Sequence, residues 1–229
     1  MNDAAPERNS ETPAPTVNAA AQAWRSALRL FCFVVVATAL MSMTHSVTRT
    51  RIQAALTAEK MKFISEVLPA ERYDNDLLAD SITLPPTPEL GLKTESRVYR
   101  ARKDGKYNAL VLEAVAPDGY AGAIRLLIGI SRAGEITGVR VVDHRETPGL
   151  GDYIDPRRDK NKTRPWIAQF TGLIAPEIPD ADWRVKKERG RFDAYAGATV
   201  SPRAVIEAVR KAARFAARSG ERLFEEKTP

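Results

Sequence analysis

The chain has 229 residues and a formal net charge of +6, which suits one globular unit with flanking tails rather than several domains. Its basic residues are spread along the chain without an RNA- or DNA-binding signature, so no nucleic-acid partner is predicted. The single cysteine, Cys32, excludes an intramolecular disulfide, a cysteine zinc cluster and an iron–sulfur cage within this chain, so any redox centre must be a bound organic cofactor.

The N-terminal part combines a polar tail with an apolar run. Residues 1–23 are rich in Ala, Pro, Asn, Thr and Glu without apolar periodicity, which predicts a disordered tail. The nineteen residues Leu30–Thr48 contain no acidic, Lys or Arg side chain. A helix of that length spans about 28 Å, close to the thickness of a bilayer core. Residues 24–48 are therefore predicted to form one transmembrane helix.

A signal peptide is the alternative interpretation of the same run. The most apolar part, Leu30–Met43, is short enough to be a signal-peptide core, with Ala37-Thr38-Ala39 as a nominal cleavage triplet. The triplet lies inside the apolar run rather than after it, and the helical pattern continues without a break beyond Arg49. An uncleaved membrane anchor is the preferred interpretation.

Residues 49–96 are predicted to form a region of helix and loop. Apolar residues recur at helical spacing from Ile52 to Val67, which predicts an amphipathic helix that ends before Pro69. The proline-rich run Leu84–Pro88 then predicts a loop.

From Arg97 onward the periodicity becomes that of strands, and residues 97–219 are predicted to form the globular domain. Four strands of an antiparallel sheet are expected, at Val98–Arg102, Tyr107–Ala116, Tyr120–Ser131 and Glu135–Asp143. Helices are expected near Pro165–Thr171 and over Pro202–Ser219, the second with an apolar stripe that would pack on the sheet. The predicted class is α+β, with residues 220–229 as a C-terminal tail.

The run D-A-Y-A-G-A-T, from Asp193 to Thr199, stands directly before the last predicted helix. Its small side chains allow a large group to approach the backbone, and Gly197 is free to adopt a positive φ. Ser201 is predicted to cap the helix, with Pro202 at its first position. Taken alone, this run is also typical of an ordinary loop that leads into a helix.

Two upstream blocks are rich in glycine and turn-forming residues. They are G-Y-A-G-A-I at residues 119–124 and H-R-E-T-P-G-L-G-D at residues 144–152. The first could simply shape the start of a strand, and the second could simply reverse the chain after one. The large aromatics Trp166 and Trp183 are predicted to be core residues rather than ligands.

Together the three blocks closely resemble the G subunit of the Rnf electron transport complex, and the resemblance covers most of the chain. It runs from about Glu66 to about Ala216 and includes L-P-A-E-R-Y at residues 68–73, Trp166, Phe170 and a predicted strand over Trp183–Lys187. The resemblance implies an FMN-binding domain in which FMN is joined covalently, through a phosphoester, to the threonine that ends D-A-Y-A-G-A-T. That threonine is Thr199 in this chain. One departure is Ala196, where the family commonly has Ser or Thr.

The resemblance also implies the residues of the site. Cofactor-binding residues would be Tyr120, Glu146, Thr147, Gly149, Leu150, Gly151, Gly197, Ala198 and Thr199. A separate flavin transferase would recognise Asp193, Gly197, Ala198 and Thr199. No catalytic residue and no metal ligand is predicted, because the flavin would serve as an electron relay.

Partners and location follow from the same resemblance. The partners would be the membrane and iron–sulfur subunits of an ion-translocating ferredoxin:NAD oxidoreductase, the flavin transferase during maturation, and the bacterial inner membrane. The tail would be cytoplasmic and the globular domain periplasmic. Two alternatives stay open: the C subunit of the sodium-pumping NADH:quinone reductase, which shares the E-T-P-G-L-G block, and a membrane-tethered module without flavin.

Overall fold

The computed structural model describes residues 19–225, so most of the tail predicted over residues 1–23 lies outside the described residues, as do residues 226–229. The chain divides into two compact units, residues 1–56 and residues 57–229. Helix α1 spans Ala19–Val67 and supplies the described part of the first unit. The prediction that this helix ends before Pro69 is confirmed.

Helix α1 is the one helix among residues 19–225 that is long and apolar enough to cross a membrane. Its most apolar window has a mean hydropathy of 1.9 and is not buried by any other part of the described chain. Large side chains such as Phe33 and Met41 are 72% and 75% exposed. A helix that is apolar on all sides is stable in lipid rather than in water, although a signal sequence would share this composition.

The second unit is built on five antiparallel strands, which neighbour one another in chain order. They are β1 (Ser81–Leu84), β2 (Ser96–Lys103), β3 (Lys106–Ala116), β4 (Ile124–Ser131) and β5 (Ile136–Asp143). The turn between β2 and β3 places Asp104 and Gly105 at φ values of 50° and 70°, the left-handed conformation that two-residue hairpin turns require. The predicted α+β class and antiparallel sheet are confirmed.

Each face of the sheet is covered. On one face packs helix α2 (Val200–Glu225), whose apolar stripe includes Val205, Val209 and Ala212. On the opposite face, the end of α1 contributes Ile64 and Val67 to a second, smaller apolar cluster. Because both faces are buried, every residue of the central strand β3 from Ala109 to Ala116 except Glu113 is apolar, instead of alternating with polar residues.

The C-terminal end of α2 is held by a buried arginine on β2. Arg100 is 1% exposed, and its guanidinium donates to the carbonyl groups of Leu223 and Phe224 at 3.4 and 3.3 Å. Its Nε donates to Asp80 Oδ1 at 2.7 Å, and Arg102 Nε donates to Asp80 Oδ2 at 2.6 Å. One carboxylate therefore joins two arginines to the last turn of the helix.

Several predicted boundaries were wrong. Leu84 ends β1, a strand that was not predicted. Strand β4 begins at Ile124 rather than at Tyr120 because residues 120–122 form bends. Residues 183–187 form no strand, only a single bridge between Val185 and Phe192 followed by a 3₁₀ turn. The segment near Pro165 is a 3₁₀ helix, Trp166–Phe170. Helix α2 begins two residues before Pro202 and continues six residues beyond Ser219.

We expect Gly138→Ala to destabilise the second unit by about 1–3 kcal/mol, the usual cost of overpacking. A Cβ at Gly138 would lie 2.7 Å from Val67 Cα and 2.9 Å from Val67 O, and these backbone atoms cannot rotate away. The measurement is the thermal unfolding midpoint of the full chain in detergent. Gly105→Ala is the control, because nothing lies within 4 Å of a Cβ there and only its positive φ opposes the change. Equal midpoints for the two variants would contradict the contact.

The second unit is expected to lose stability in acid. Burial alone would raise the pKa of Asp80, but the hydrogen bond from Arg102 and the charge of Arg100 outweigh it and hold this pKa below its ordinary value. The pKa of Asp155 is lowered in the same way by Arg157. A carboxyl with a lowered pKa in the folded state stabilises the fold above the unfolded-state pKa of about 4, and this stabilisation is lost as pH falls through the folded-state pKa.

The unfolding midpoint should therefore fall as pH is lowered from about 5 to about 3. Asp80→Asn, which cannot lose a charge, is the control and should reduce the steepness of that fall. A midpoint that does not change over this pH range would contradict the expectation.

Candidate functional site

The three glycine-rich blocks meet at one surface cleft of the second unit. The cleft has a volume of about 150 Å³ and is lined by Tyr120, Thr147, Leu150, Gly151, Gly197, Ala198, Thr199, Val200 and Ser201. Segments that are almost eighty positions apart in the sequence thus share one site. Most of the predicted cofactor-binding residues are brought together here, and the exceptions are Glu146 and Gly149.

Thr199 stands at the point where the loop becomes helix α2. The N–H of Ala198 donates to the carbonyl of Tyr195 at 3.2 Å across a turn in which Gly197 has a φ of 80°. The N–H of Arg203 then donates to the carbonyl of Thr199, so Val200 is the first helical residue. Thr199 therefore occupies the capping position, and the predicted capping role of Ser201 was wrong.

Tyr153 holds the loop that leads to Thr199. Its hydroxyl donates to the carbonyl of Ala198 at 2.9 Å and accepts the N–H of Tyr195 at 3.1 Å, while the two tyrosine rings lie 4.1 Å apart. Burial raises the pKa of Tyr153 to about 12, so the hydroxyl keeps its proton at neutral pH. The Tyr195 hydroxyl in turn donates to Asp159 at 2.8 Å. Sequence reasoning missed Tyr153 and Asp159, because neither forms part of a local motif.

Glu146 lies beneath the cleft instead of lining it. The residue is 4% exposed, and its carboxylate accepts hydrogen bonds from the Ser201 hydroxyl and, at 3.2 Å, from the N–H of Ala121. Its own N–H donates to His144 Nδ1 at 3.1 Å. The carboxylate therefore binds two of the segments that form the cleft, through Ser201 and Ala121, on the side away from its opening.

Gly149 also lies outside the cleft. Its φ of 77° and its N–H, which donates to Asp152 Oδ1 at 2.9 Å, indicate a role in shaping the loop. The loop that it shapes carries Leu150 and Gly151 into the cleft wall. For Gly149 the structure thus shows a turn rather than a surface that faces a ligand.

Asp193 lies in a neighbouring groove with Trp166 and Tyr195. Its backbone is fixed, because its carbonyl accepts the Trp166 indole N–H at 2.5 Å and its N–H donates to Gln169 at 2.8 Å. Its side chain is 69% exposed and pairs with Lys186 at 2.7 Å. Asp193 is thus presented to solvent beside the cleft. Trp166 and Trp183 are 5% and 6% exposed, which confirms that both are core residues.

The cleft fits a group that is partly enclosed. Three large apolar side chains on its rim are well exposed: Tyr120 at 70%, Leu150 at 54% and Val200 at 40%. Its volume is smaller than the 300 Å³ or more of typical enclosing pockets, so a flat aromatic ring would lie against it with one side open. Among residues 19–225, no cluster of three or more His, Cys, Asp or Glu side chains could hold a metal ion.

Family comparisons agree with this arrangement. Residues 119–214, which contain all three blocks, match the model described as an FMN-binding domain, and residues 19–67 match the RnfG N-terminal region. The chain is 44% identical over 196 residues to the G subunit of the ion-translocating oxidoreductase complex of Escherichia coli O157:H7, with 86% of this chain and 92% of that protein covered. The chain belongs to this G-subunit family. The predicted resemblance to the family is confirmed.

Other relatives in the G-subunit family cover the chain to a similar extent. The Pseudomonas aeruginosa (strain UCBPP-PA14) protein is 42% identical over 200 residues, which cover 87% of this chain and 91% of the relative. A solved structure, NqrC of Shewanella oneidensis, is 23% identical and covers 66% of this chain and 73% of its own, with a TM-score of 0.41. At that score the similarity carries no argument. The match of residues 19–67 to the RnfG N-terminal region favours the G-subunit family over the alternative of a quinone reductase C subunit.

Proposed function

We propose that this member of the G-subunit family carries FMN on Thr199 and serves as an electron relay in a membrane-bound, ion-translocating oxidoreductase complex. The observation that carries the proposal is the cleft itself. It is built from the residues that match the FMN-binding domain, and Thr199 lies in its wall beside exposed apolar side chains. When bound, FMN would supply the one- and two-electron chemistry that no side chain in this chain provides.

The attachment would be made by a separate flavin transferase that uses FAD and magnesium. The Thr199 hydroxyl oxygen would bond to the FMN phosphorus of FAD while the pyrophosphate bond breaks. AMP would leave with the bridging oxygen, and the hydroxyl proton would pass to a base of the transferase. Asp193, Gly197 and Ala198 would be recognised by that enzyme. The exposed Asp193 carboxylate and the small, left-handed turn at Gly197 support access from outside.

Helix α2 supports a phosphoester at Thr199. The first N–H groups of a helix have no intrahelical acceptor, and the helix dipole places partial positive charge at this end. A phosphodiester on the residue before Val200 would lie within reach of both. The flavin ring would then rest against Tyr120, Thr147, Leu150 and Gly151, the residues that line the rest of the cleft.

For its location, we propose that helix α1 is an uncleaved, single-pass anchor in the bacterial inner membrane, with the second unit in the periplasm. The exposed apolar surface of α1 supports membrane insertion. The partners would be the membrane and iron–sulfur subunits of an Rnf complex that passes electrons between ferredoxin and NAD while it moves sodium ions or protons. A covalent bond would prevent loss of FMN in a compartment where it is not replenished.

The test is the mass of the full chain after co-expression with and without an active flavin transferase. The proposal predicts a mass increase of one FMN less one water, only with the transferase, and peptide mapping that locates the addition on Thr199. An unmodified chain, together with modification of a control substrate by the same transferase, would support the flavin-free membrane module instead.

A further inference from the structure

We infer that Glu146 and Ser201 form a buried clamp that positions Thr199 for flavin transfer, and that Glu146 acts through this clamp rather than as a ligand of the flavin. The inference rests on the proposed function of Thr199. Ser201 is 2% exposed and Glu146 is 4% exposed, so their hydrogen bond is shielded from water. Ser201 lies two residues after Thr199, in the first turn of α2.

The clamp joins all three walls of the cleft. Glu146 Oε2 accepts the Ser201 hydroxyl from the helix, and Glu146 Oε1 accepts the Ala121 N–H from the block that carries Tyr120. Its own loop continues directly to Thr147 and Leu150 in the cleft wall. One carboxylate therefore fixes the distance between the acceptor threonine and the two surfaces against which the ring would rest.

Two glycines show how closely the chain approaches this carboxylate. A Cβ at Gly119 would lie 2.7 Å from Glu146 Oε1, and a Cβ at Gly151 would lie 2.9 Å from Glu146 Oε2. Neither glycine has a positive φ, so backbone conformation does not require glycine at these positions. At Gly119 the requirement comes first from the carbonyl of Gly122 and then from Glu146, and at Gly151 it comes from Ser201 Oγ and Glu146, the two members of the clamp. The carboxylate thus has backbone on two sides and Ser201 on a third, and Glu146 is not among the residues that line the cleft.

The clamp predicts which kinetic constant will change. Transfer requires the Thr199 hydroxyl to be held in line with the phosphorus, and a misplacement of about 1 Å can cost two orders of magnitude in rate. Recognition of the chain by the transferase depends on exposed residues such as Asp193, which the clamp does not contact. Loss of the clamp should therefore lower kcat for flavin transfer by about tenfold or more, with little change in KM for this chain.

The experiment measures transferase kinetics on the full chain in detergent. Ser201→Ala and Glu146→Ala each break the clamp and should lower kcat, and the double variant should be no slower than the slower of the two single variants. Glu146→Gln should restore most of kcat, since its amide oxygen can accept from Ala121 while its NH₂ group donates to the Ser201 oxygen. Thr137→Val is the matched control. It removes another buried hydroxyl, which donates to Val67 O at 2.6 Å on the opposite face of the sheet, and it should leave kcat unchanged.

Amide hydrogen exchange of the unmodified chain gives a second readout that needs no flavin. Ser201→Ala should speed exchange in both residues 119–122 and residues 197–203, and Thr137→Val should change neither. Wild-type kinetics for Ser201→Ala, with only the Glu146 variants slow, would overturn the clamp in favour of direct contact with the flavin. Unchanged exchange in Ser201→Ala would also overturn it. If wild type takes up no flavin, the proposed function fails, and the exchange result alone decides the clamp.

Discussion

Thr199→Ala is expected to abolish covalent flavin completely while the fold stays intact. Alanine has no hydroxyl to form the phosphoester, and a side chain that caps a helix contributes only about 1 kcal/mol to stability. The measurement is flavin fluorescence of the denatured full chain in a gel, after co-expression with the transferase. Thermal unfolding of the same sample should show a midpoint within a few degrees of wild type.

Thr199→Ser is the matched control for this prediction. Serine keeps a hydroxyl at the same position and removes only a methyl group, so it should retain fluorescence, at a lower level if the methyl group helps to orient the oxygen. A fluorescent Thr199→Ala band would show that the flavin is attached elsewhere. A dark band for both variants beside a bright wild type would show that the methyl group is required for transfer.

Arg100→Ala is expected to lower the free energy of unfolding of the second unit by about 3–5 kcal/mol. This loss is larger than the one expected for Gly138→Ala or Thr199→Ala. The change leaves Asp80 with Arg102 as its remaining arginine partner. It also removes the donor to the carbonyl of Leu223 and one of two arginine donors to the carbonyl of Phe224. It also opens a cavity at a residue that is 1% exposed. The thermal unfolding midpoint should fall by roughly 10 °C.

Arg97→Ala is the control for Arg100→Ala, because both arginines lie on β2 but only Arg100 is buried. Arg97 is exposed, and its hydrogen bond to Ser81 is long, at 3.5 Å, so its loss should cost less than about 1 kcal/mol. Similar midpoints for the two alanine variants would refute the role of Arg100 at the end of α2.

Sequence periodicity was sufficient to predict the α+β class and four of the five strands, but not β1 or the ends of the elements. Helix α2 was expected over Pro202–Ser219, and Gly220 is the first residue beyond that range. Gly220 permits close packing, since a Cβ there would lie 2.8 Å from the Tyr107 hydroxyl. Beyond it, Phe224 stacks on Tyr107 with ring centroids 4.3 Å apart, and this long-range contact extends the helix.

Prediction of the candidate site from the sequence was also incomplete. The residues that line the cleft belong to short blocks that can be recognised in the sequence, such as those that carry Tyr120 and Thr199. The hydrogen bonds that hold these blocks in place join distant positions, so they are found only in the structure. Tyr153 and Ala198 are 45 positions apart, and Glu146 and Ser201 are 55 apart. No local pattern marks such pairs.

The strand order sets the order of events during biosynthesis. Because β1 to β5 neighbour one another in chain order, each strand can pair with the one made just before it, and the sheet needs no late segment to assemble. The cleft is different, because Thr199 comes 56 residues after Asp143, the end of β5, and helix α2 follows it. Both must pack back beside residues 120 and 150. A chain that lacks residues 199–225 therefore contains all five strands but lacks one wall of the cleft. On the proposed function, flavin attachment would then be a late step of maturation, which follows the folding of the C-terminal helix.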